Sequence, residues 1–258
     1  MRFGIDLSEH NGNVDMSKVK ASGIDFAILR MAYGKNKTQI DKQFYNNYNK
    51  TLEYKIPIGV YIYSYAISKE DALQEAKLTL DLLKDIKIEY PVFIDMEDFD
   101  GYKKRNNVSN FTCVDICETF CKYIEENGYY VGIYANLDWL NNKINSNKLD
   151  RFDKWVAEWG RSCHYKKEYG MWQYSSKGII PGINGNVDLN YALKDYPSII
   201  NNTKKNNNIY IVQNGDNLSK IAQKYNINWQ KIYQWNKSVI GNDPNLIYEG
   251  QALVIKEE

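Results

Sequence analysis

The chain has 258 residues, with 33 Lys and Arg against 32 Asp and Glu and a formal net charge of +1. A length of this order buries a sizeable core and suits one large domain, alone or with a small module. The balanced charge gives no electrostatic basis for binding nucleic acid or an anionic membrane surface, so we predict neither partner.

The first residues lack the apolar core of a secretion signal, and no apolar run reaches membrane-spanning length. We therefore expect synthesis in the cytoplasm without a signal peptide and no insertion into a membrane. Four cysteines give no disulfide framework in a chain of this size. Cys113, Cys117 and Cys121 recur at every fourth position, which predicts a buried stripe along one helix. Because a stripe does not converge on a point, we predict no metal site, and no cofactor is expected.

Up to residue 191, short β-rich runs alternate with polar turns and segments that can be helical. This alternation with helical returns indicates an α/β fold, a (β/α)-type barrel. The returns shorten after Ala135, so we expect an irregular barrel whose later strands lie partly antiparallel. The pattern predicts eight strands: Phe3–Asp6, Phe26–Met31, Gly59–Tyr65, Val92–Glu97, Tyr130–Ala135, Trp155–Glu158, Met171–Tyr174 and Val187–Leu189.

Two of the helical returns carry clear end signals. Ser68, followed three residues later by Asp71, predicts a capping box that opens a helix over Lys69–Lys84. The cysteine helix begins near Phe111 and is expected to end at Gly128, because glycine suits the left-handed position after a helix.

One apolar run ends in two acids, Asp95 and Glu97. A strand period of two puts both on one face, about 7 Å apart along the chain. Two carboxyl groups in one cleft raise each other's cost of ionisation, so one can stay protonated near neutral pH while the other is charged. A glycosidase uses this chemistry; the alternative is a strand tip that is simply solvated. A separation of about 7 Å does not choose between retaining and inverting hydrolysis.

In barrels of this type the working residues lie where the strands end. One acid at a strand end can be a solvated loop residue, but several at the same end of one barrel indicate a site. The predicted strand ends bring together Asp6, Arg30, Tyr61, Tyr63, Asp95, Glu97, Tyr134, Glu158, Trp159, Gln173 and Asp188.

Seven short motifs, taken together and in this order, resemble glycoside hydrolase family 25, the lysozymes of Chalaropsis type. They are Gly4–Ser8, Gly59–Tyr61, Phe93–Glu97, Gly132–Tyr134, Trp155–Ala157, Trp172–Tyr174 and Val187–Asn190. The resemblance implies a catalytic domain over 1–197 with a flattened eight-stranded barrel. It also implies cleavage of the β-1,4 bond between N-acetylmuramic acid and N-acetylglucosamine.

The resemblance also implies roles for the acids. Glu97 would be the general acid, Asp95 its close partner, and Asp6 and Asp188 the acidic floor of the groove. The second catalytic role stays open between an aspartate nucleophile and the substrate's own N-acetyl carbonyl, oriented by Asp95. Arg30 either orients an acid or holds a structural ion pair. Residues expected to line the groove, each of which can instead serve the core, are Tyr61, Tyr63, Tyr134, Trp159 and Gln173.

After Pro197 the sequence turns polar over 198–208 and predicts a flexible linker. A second module over 209–258 has a βααβ pattern: Ile209–Val212, Leu218–Tyr225, Trp229–Trp235 and Gln251–Ile255. This module resembles a LysM domain, which implies binding of N-acetylglucosamine through two loops; the same residues also make turns. The loop residues are Gly215, Asp216, Asn217, Leu218, Asp243, Pro244, Asn245, Leu246 and Ile247.

The sequence thus predicts an endolysin-like N-acetylmuramidase whose partner is the peptidoglycan glycan strand, with LysM as its anchor. The alternatives are a chitinase-like hydrolase, a non-catalytic wall-binding protein, and a metal-dependent hydrolase that uses the same acids as ligands. We expect the protein to act on the bacterial wall after release, either as a phage lysin through holin lesions or as an autolysin exported by a non-classical route.

Overall fold

The computed structural model describes residues 1–206 and 209–255. Two compact units divide the chain, residues 1–200 and 201–258. In the described residues, no helix combines the length and the apolar composition that a membrane crossing needs.

The first unit is a closed barrel of eight strands that are neighbours in chain order. The predicted α/β barrel is therefore confirmed, and each predicted strand overlaps an observed one. The strands are β1 (Arg2–Leu7), β2 (Phe26–Tyr33), β3 (Ile58–Tyr63), β4 (Val92–Asp95), β5 (Val131–Asn136), β6 (Asp153–Ala157), β7 (Met171–Gly178) and β8 (Val187–Ala192).

Strand polarity makes the barrel irregular. The pairs from β1 to β7 are parallel, whereas β8 is antiparallel to both β7 and β1. Only eight residues, 179–186, separate β7 from β8, too few for the helical crossover that a parallel pair requires. The expectation of antiparallel late strands is confirmed.

The connections between the early strands contain α-helices, whereas the later connections contain shorter helical segments or none. Between β5 and β6 lie a π-helical segment, Trp139–Lys143, and a 3₁₀ turn, Asn147–Leu149. The fully described stretches 158–170 and 179–186 hold no helix. The α-helices of this part are α1 (Met16–Ala21), α2 (Phe44–Glu53), α3 (Lys69–Leu83), α4 (Tyr102–Arg105), α5 (Asn110–Glu126) and α6 (Tyr196–Asn206).

Both predicted signals lie at helix ends, but the capping box is half formed, because the Asp71 carboxylate accepts from the Ile67 N–H at 3.2 Å and not from that of Ser68. The Ser68 hydroxyl accepts a hydrogen bond from the Asp71 N–H, 3.2 Å away, and caps α3. Gly128 follows α5 with φ of 85°, and the next N–H, of Tyr129, donates to Ile124 O at 3.3 Å. This pair of features forms a Schellman motif, which satisfies carbonyls at the helix end. The cysteine stripe of α5 is buried in the core.

Strand alternation sends one set of side chains into the barrel, where rings fill the interior. Two glycines make room for them. A Cβ on Gly4 would lie 2.4 Å from the Phe26 ring, and one on Gly132 would lie 2.5 Å from the Phe93 ring. The interior cluster is Phe26, Ile28, Tyr90, Phe93, Tyr134, Trp155, Ala157, Met171, Ala192, Tyr196 and Ile200.

A buried aspartate closes the amino-terminal end of the parallel strands. Asp153, the first residue of β6, accepts hydrogen bonds through Oδ2 from the hydroxyls of Tyr130 (3.2 Å) and Tyr196 (2.9 Å). Its Oδ1 accepts from the Lys154 N–H at 2.8 Å and from Lys194 Nζ at 3.3 Å. Both carboxylate oxygens are thus satisfied, which makes this acid a structural anchor.

The second unit has the predicted βααβ order, with one short helix added. The strands pair antiparallel, Tyr210 opposite Leu253. The described part of the predicted linker, 198–206, belongs to helix α6, and residues 207–208 lie outside the described residues. The elements are β9 (Ile209–Ile211), α7 (Leu218–Tyr225), α8 (Trp229–Trp235), α9 (Lys237–Ile240) and β10 (Ala252–Val254).

Candidate active site

A cleft of about 650 Å³ opens at the carboxyl ends of the parallel strands. The floor of the cleft carries polar side chains, whereas the barrel interior beneath it is filled largely by aromatic rings. The predicted site residues that line it are Asp6, Arg30, Tyr61, Tyr63, Asp95, Glu97, Tyr134, Gln173 and Asp188.

Asp6 and Asp188 form a pair of carboxyl groups across the β1–β8 register. Asp6 Oδ2 accepts from Asn190 Nδ2 at 2.8 Å and from Gln173 Nε2 at 3.1 Å. Burial, and then the charge of Asp188, raises the pKa of Asp6 well above its ordinary value. Burial also raises the pKa of Asp188. This pair therefore holds a proton to higher pH than isolated aspartates do.

Asp95 ends β4, so the predicted strand to Glu97 is two residues too long and Glu97 lies in the loop beyond it. Hydrogen bonding to β5 continues for one more residue, from the Met96 N–H to Tyr134 O at 2.9 Å, and both acidic side chains line the same cleft. Asp95 is 5% exposed. Its Oδ1 is buried and has no hydrogen-bond partner in the described part of the chain.

The two acids differ in how burial and charge act on them. Burial, and then the nearby Glu97, raises the pKa of Asp95 well above its ordinary range. Burial, and then the charge of Asp188, raises the pKa of Glu97 to about 7, while Lys103 opposes the rise. Glu97 is thus a carboxylic acid that exchanges its proton near neutrality, as a general acid must.

The Gln173 amide links the acid floor to the aromatic wall. The hydroxyl of Tyr134 and Nε1 of Trp159 donate to Gln173 Oε1 at 3.0 and 3.1 Å. The amide nitrogen donates in turn to Asp6. Because both acceptor positions of Oε1 are occupied, the amide has a single orientation and Asp6 receives its N–H.

A second amide beneath the floor repeats this arrangement. Trp155 Nε1 donates to Asn190 Oδ1 at 2.8 Å, and Asn190 Nδ2 donates to Asp6. Asn190 is fully buried on β8. Sequence reasoning missed it, although it stands two residues after Asp188 and the strand period places both inside the barrel.

Arg30 pairs with acids other than the catalytic set. Its Nε lies 2.7 Å from Asp41 Oδ2, and its Nη2 lies 3.2 Å from Glu9 Oε1. Of the two roles left open for Arg30, the structure shows the ion pair. Asp41 comes from a loop and Glu9 from the 3₁₀ turn Glu9–Asn11, and neither had a sequence signal. The guanidinium still acts at a distance, because it lowers the pKa of Asp95.

Exposed rings stand near the cleft. Phe99, 95% exposed, lines it, and its backbone N–H donates to the Tyr63 hydroxyl at 3.3 Å. Trp159, 64% exposed, is not part of the cleft lining and joins the site through Gln173. Tyr61 packs edge-on against Trp155 inside the barrel. Open aromatic faces beside carboxyl groups suit sugar rings.

The family model of "Glycosyl hydrolases family 25" matches residues 5–183. The chain belongs to this family. The model of the LysM domain matches residues 210–256. Both resemblances read from the sequence are confirmed.

Curated relatives share the family 25 part. The chain is 27% identical over 187 residues to the autolytic lysozyme of Clostridium acetobutylicum, covering 72% of this chain and 54% of that protein. It is 25% identical over 205 residues to lysozyme M1 of Streptomyces globisporus, covering 72% and 66%. The chain therefore spans between half and two thirds of the length of these relatives.

Solved structures show the same barrel. The autolysin LytC of Streptococcus pneumoniae, in complex with a synthetic peptidoglycan ligand, superposes with a TM-score of 0.67 at 29% identity, covering 73% of this chain and 46% of that chain. The bacterial lysozyme of Streptomyces coelicolor gives 0.66 at 24% identity, covering 78% and 98%. The second likeness shows the fold.

The LysM loops are built on firm turns. Asp216 Oδ2 accepts from the Tyr210 hydroxyl at 2.6 Å and the Gln213 N–H at 2.8 Å, and Asn217 caps α7. Leu218 is buried in the module core, so its side chain is not at the surface. In the second loop, Leu246 is 49% exposed. The other predicted loop residues lie at the surface or partly covered: Gly215, Asp243, Pro244, Asn245 and Ile247.

Proposed function

We propose that the chain is a peptidoglycan hydrolase that cuts the β-1,4 bond between N-acetylmuramic acid and N-acetylglucosamine. One observation carries the proposal. Glu97, with a pKa raised to about 7, shares a cleft with three buried or partly buried aspartates. Glycoside hydrolysis needs such a group to protonate the leaving oxygen and then to take a proton from water.

In this mechanism Glu97 is the general acid. Below about pH 7 it carries its proton and gives it to the glycosidic oxygen as the C–O bond breaks. The resulting carboxylate then accepts a proton from the water that attacks the sugar carbon. Asp6 and Asp188 supply negative charge beneath the developing oxocarbenium ion.

Asp95 takes the orienting role in our proposal. Its buried Oδ1 lacks a partner among the described residues, and a buried unpaired acceptor is costly. An acetamido N–H of the substrate would satisfy it and turn the acetamido carbonyl toward the reacting carbon. That carbonyl oxygen bonds to the sugar carbon as the glycosidic C–O bond breaks, and the water that Glu97 deprotonates then attacks the same carbon and releases the carbonyl oxygen. Trapping a covalent glycosyl ester on Asp95 would overturn this assignment.

The LysM module holds the enzyme on its polymer in this proposal. A weak sugar-binding module linked to a hydrolase raises the local concentration of cleavable bonds. Since that polymer lies outside the producing cell's membrane, we propose that the protein acts on the wall after release.

Mass spectrometry of digested peptidoglycan tests the bond. We expect fragments that end in reducing N-acetylmuramic acid. Reducing N-acetylglucosamine ends would overturn the proposal, and release of soluble fragments from chitin but not from peptidoglycan would favour a chitinase. Chelator sensitivity would favour a metal-dependent hydrolase.

Binding of the full chain to N-acetylglucosamine oligomers tests the module. We expect Leu246→Ala to weaken binding about threefold to tenfold, because it removes exposed apolar area from the second loop. Val239, 55% exposed but outside both loops, provides the matched control, Val239→Ala. Equal affinities for the two variants and the unmodified chain would remove the second loop from the binding surface.

A further inference from the structure

Lys103 is a buried lysine directly behind the cleft. It lies on α4 and is 3% exposed. Its Nζ donates to the carbonyl oxygen of Glu97 at 3.0 Å and to that of Ser64. Across the described residues, no carboxylate oxygen comes within 4.0 Å of this Nζ. Two backbone oxygens accept hydrogen bonds from the ammonium, which also lies 5.9 Å from the centre of the Tyr63 ring.

Such a placement needs a physical reason. A buried charge without a partner costs several kcal/mol in general, and most buried lysines are paired. Here the charge is also attracted by three nearby carboxyl groups, with which it makes no ion pair in the described part of the chain. Lys103 lowers the pKa of Asp95, of Glu97 and of Glu75, each of which burial raises. The cation thus acts on a group of acids.

The two carbonyls that Lys103 contacts belong to separate segments. Ser64 directly follows β3, while Glu97 lies in the loop after β4. The Ser64 hydroxyl donates to Glu75 Oε2 at 2.7 Å, and the Tyr65 N–H donates to Glu75 Oε1 at 2.8 Å. Lys103 and Glu75 together tie the loop of the acid to its neighbouring strand and to α3.

We propose that Lys103 is a positioning residue for the reaction: it fixes the loop that carries Glu97, and its charge keeps the acid pair from taking up a second proton. The inference rests on the proposed function of Glu97 and deepens it. Lys103 reaches no sugar, since its ammonium is turned to the backbone.

The charge of Lys103 acts beside other groups that face the two acids. Asp188 and Asp6 come from β8 and β1, and Arg30 comes from β2. The hydroxyls of Tyr63 and Tyr134 also face the pair, from β3 and β5. Arg30, although paired with Asp41 and Glu9, lowers the pKa of Asp95, whereas Lys103 lowers the pKa of both acids. Removing it must therefore raise both carboxyl pKa values.

The variant Lys103→Met tests the proposal in the full chain. We expect kcat on purified peptidoglycan to fall about tenfold or more with little change in KM, since the loop loses its anchor but the sugar contacts remain. Both limbs of the pH–kcat profile should move to higher pH by about one unit. Lys103→Arg should restore the profile. Lys103→Gln keeps a donor without the charge and should show the shifted profile at a higher rate.

Lys154 supplies the matched control. It is also buried, and its Nζ also donates to two carbonyls, those of Leu149 (2.7 Å) and Phe152. These contacts lie at the amino-terminal end of β6, away from the cleft. Lys154→Met should lower the melting temperature and leave the profile in place. An unshifted profile in both Lys103→Met and Lys103→Gln would overturn the proposal. Absence of reducing ends from the unmodified chain would instead overturn the proposed function.

Discussion

The barrel buries aspartates at both of its ends, and the two ends treat them in opposite ways. At the amino-terminal end, Asp153 receives four hydrogen bonds, from two tyrosines, a lysine and a backbone N–H. At the other end, Asp95 has an oxygen without a partner among the described residues, and burial beside Asp188 raises the pKa of Asp6. A buried acid whose oxygens all accept hydrogen bonds stabilises the fold. Buried acids that lack such partners can instead receive them from a bound substrate.

The same contrast holds for the surroundings. Tyr196 and Lys194 close over Asp153 from the segment after β8, and a Cβ on Gly170 would lie 2.5 Å from its Oδ2. No ligand could enter there. The opposite end opens into the cleft of about 650 Å³. Burial alone therefore does not mark a catalytic acid; burial beside open space does.

The largest effect is expected at the open end. Glu97→Gln should lower kcat about 10²- to 10⁴-fold, because it removes the transferable proton. Its melting temperature at pH 8 should rise by about 2–4 °C, because a buried charge near Asp188 is gone. Reducing-end release and calorimetry measure the two. Unchanged turnover would mean that another group supplies the proton.

The closed end should behave in the reverse manner. Asp153→Ala leaves the hydroxyls of buried Tyr196 and partly buried Tyr130 without this acceptor and removes one of the two acidic partners of Lys194, so it should lower the free energy of unfolding by about 2–4 kcal/mol. Urea unfolding measures the loss. Turnover per folded molecule, assayed at low temperature, should stay within about twofold of the unmodified chain. A large loss of turnover in fully folded protein would erase the distinction between the ends.

The next largest expected effect is the pH dependence of the free energy of unfolding. The pKa of Glu75 and of Glu97 is raised from 4.5 to about 7 in the folded chain. The folded state therefore binds more protons between these values, and the free energy of unfolding should fall as pH rises from 4.5 to 7, by up to about 3 kcal/mol for the fully buried Glu75. Urea midpoints across this window measure the slope. Glu75→Gln should flatten it, whereas stability that rises with pH in the unmodified chain would contradict the assignment.

The smallest effect concerns the interior between the two ends. Gly132→Ala puts a methyl group 2.5 Å from the Phe93 ring and should cost about 1–3 kcal/mol. Gly160→Ala is the control, because no atom lies within 4 Å of its added Cβ, and its stability should stay within about 0.5 kcal/mol. Chemical denaturation compares them. Equal stabilities would show that the ring layer tolerates displacement.

Much of this architecture was predictable because strands carry a period of two and barrels place their sites at strand ends. Asp6, Asp95, Asp188 and Gln173 followed from that rule. Asn190 obeys the same period and could have been found with it. The ion-pair partners of Arg30 were missed, because they lie outside the strands and no local sequence pattern indicates them.

Lys103 and the position of Glu97 illustrate the second limit. A lysine in a polar stretch predicts a solvated side chain, yet Lys103 is buried and donates to the segments that follow β3 and β4. The end of β4 at Asp95 is likewise set by the loop that follows, not by the strand's own residues. Periodicity predicts which face a side chain takes, while tertiary contacts decide where the period stops.

Gln173 carries one last consequence. Its side-chain oxygen accepts a hydrogen bond from the indole N–H of Trp159, a residue that is mostly exposed, and its side-chain nitrogen donates to buried Asp6. Two hydrogen bonds thus connect a fluorophore to the acids at the floor of the cleft. Ionisation of Asp6 strengthens the amide's polarisation and with it the field at the indole. The emission of Trp159 should therefore report the ionisation of Asp6 in the absence of substrate. It is isolated by subtracting the spectrum of the Trp159→Phe variant.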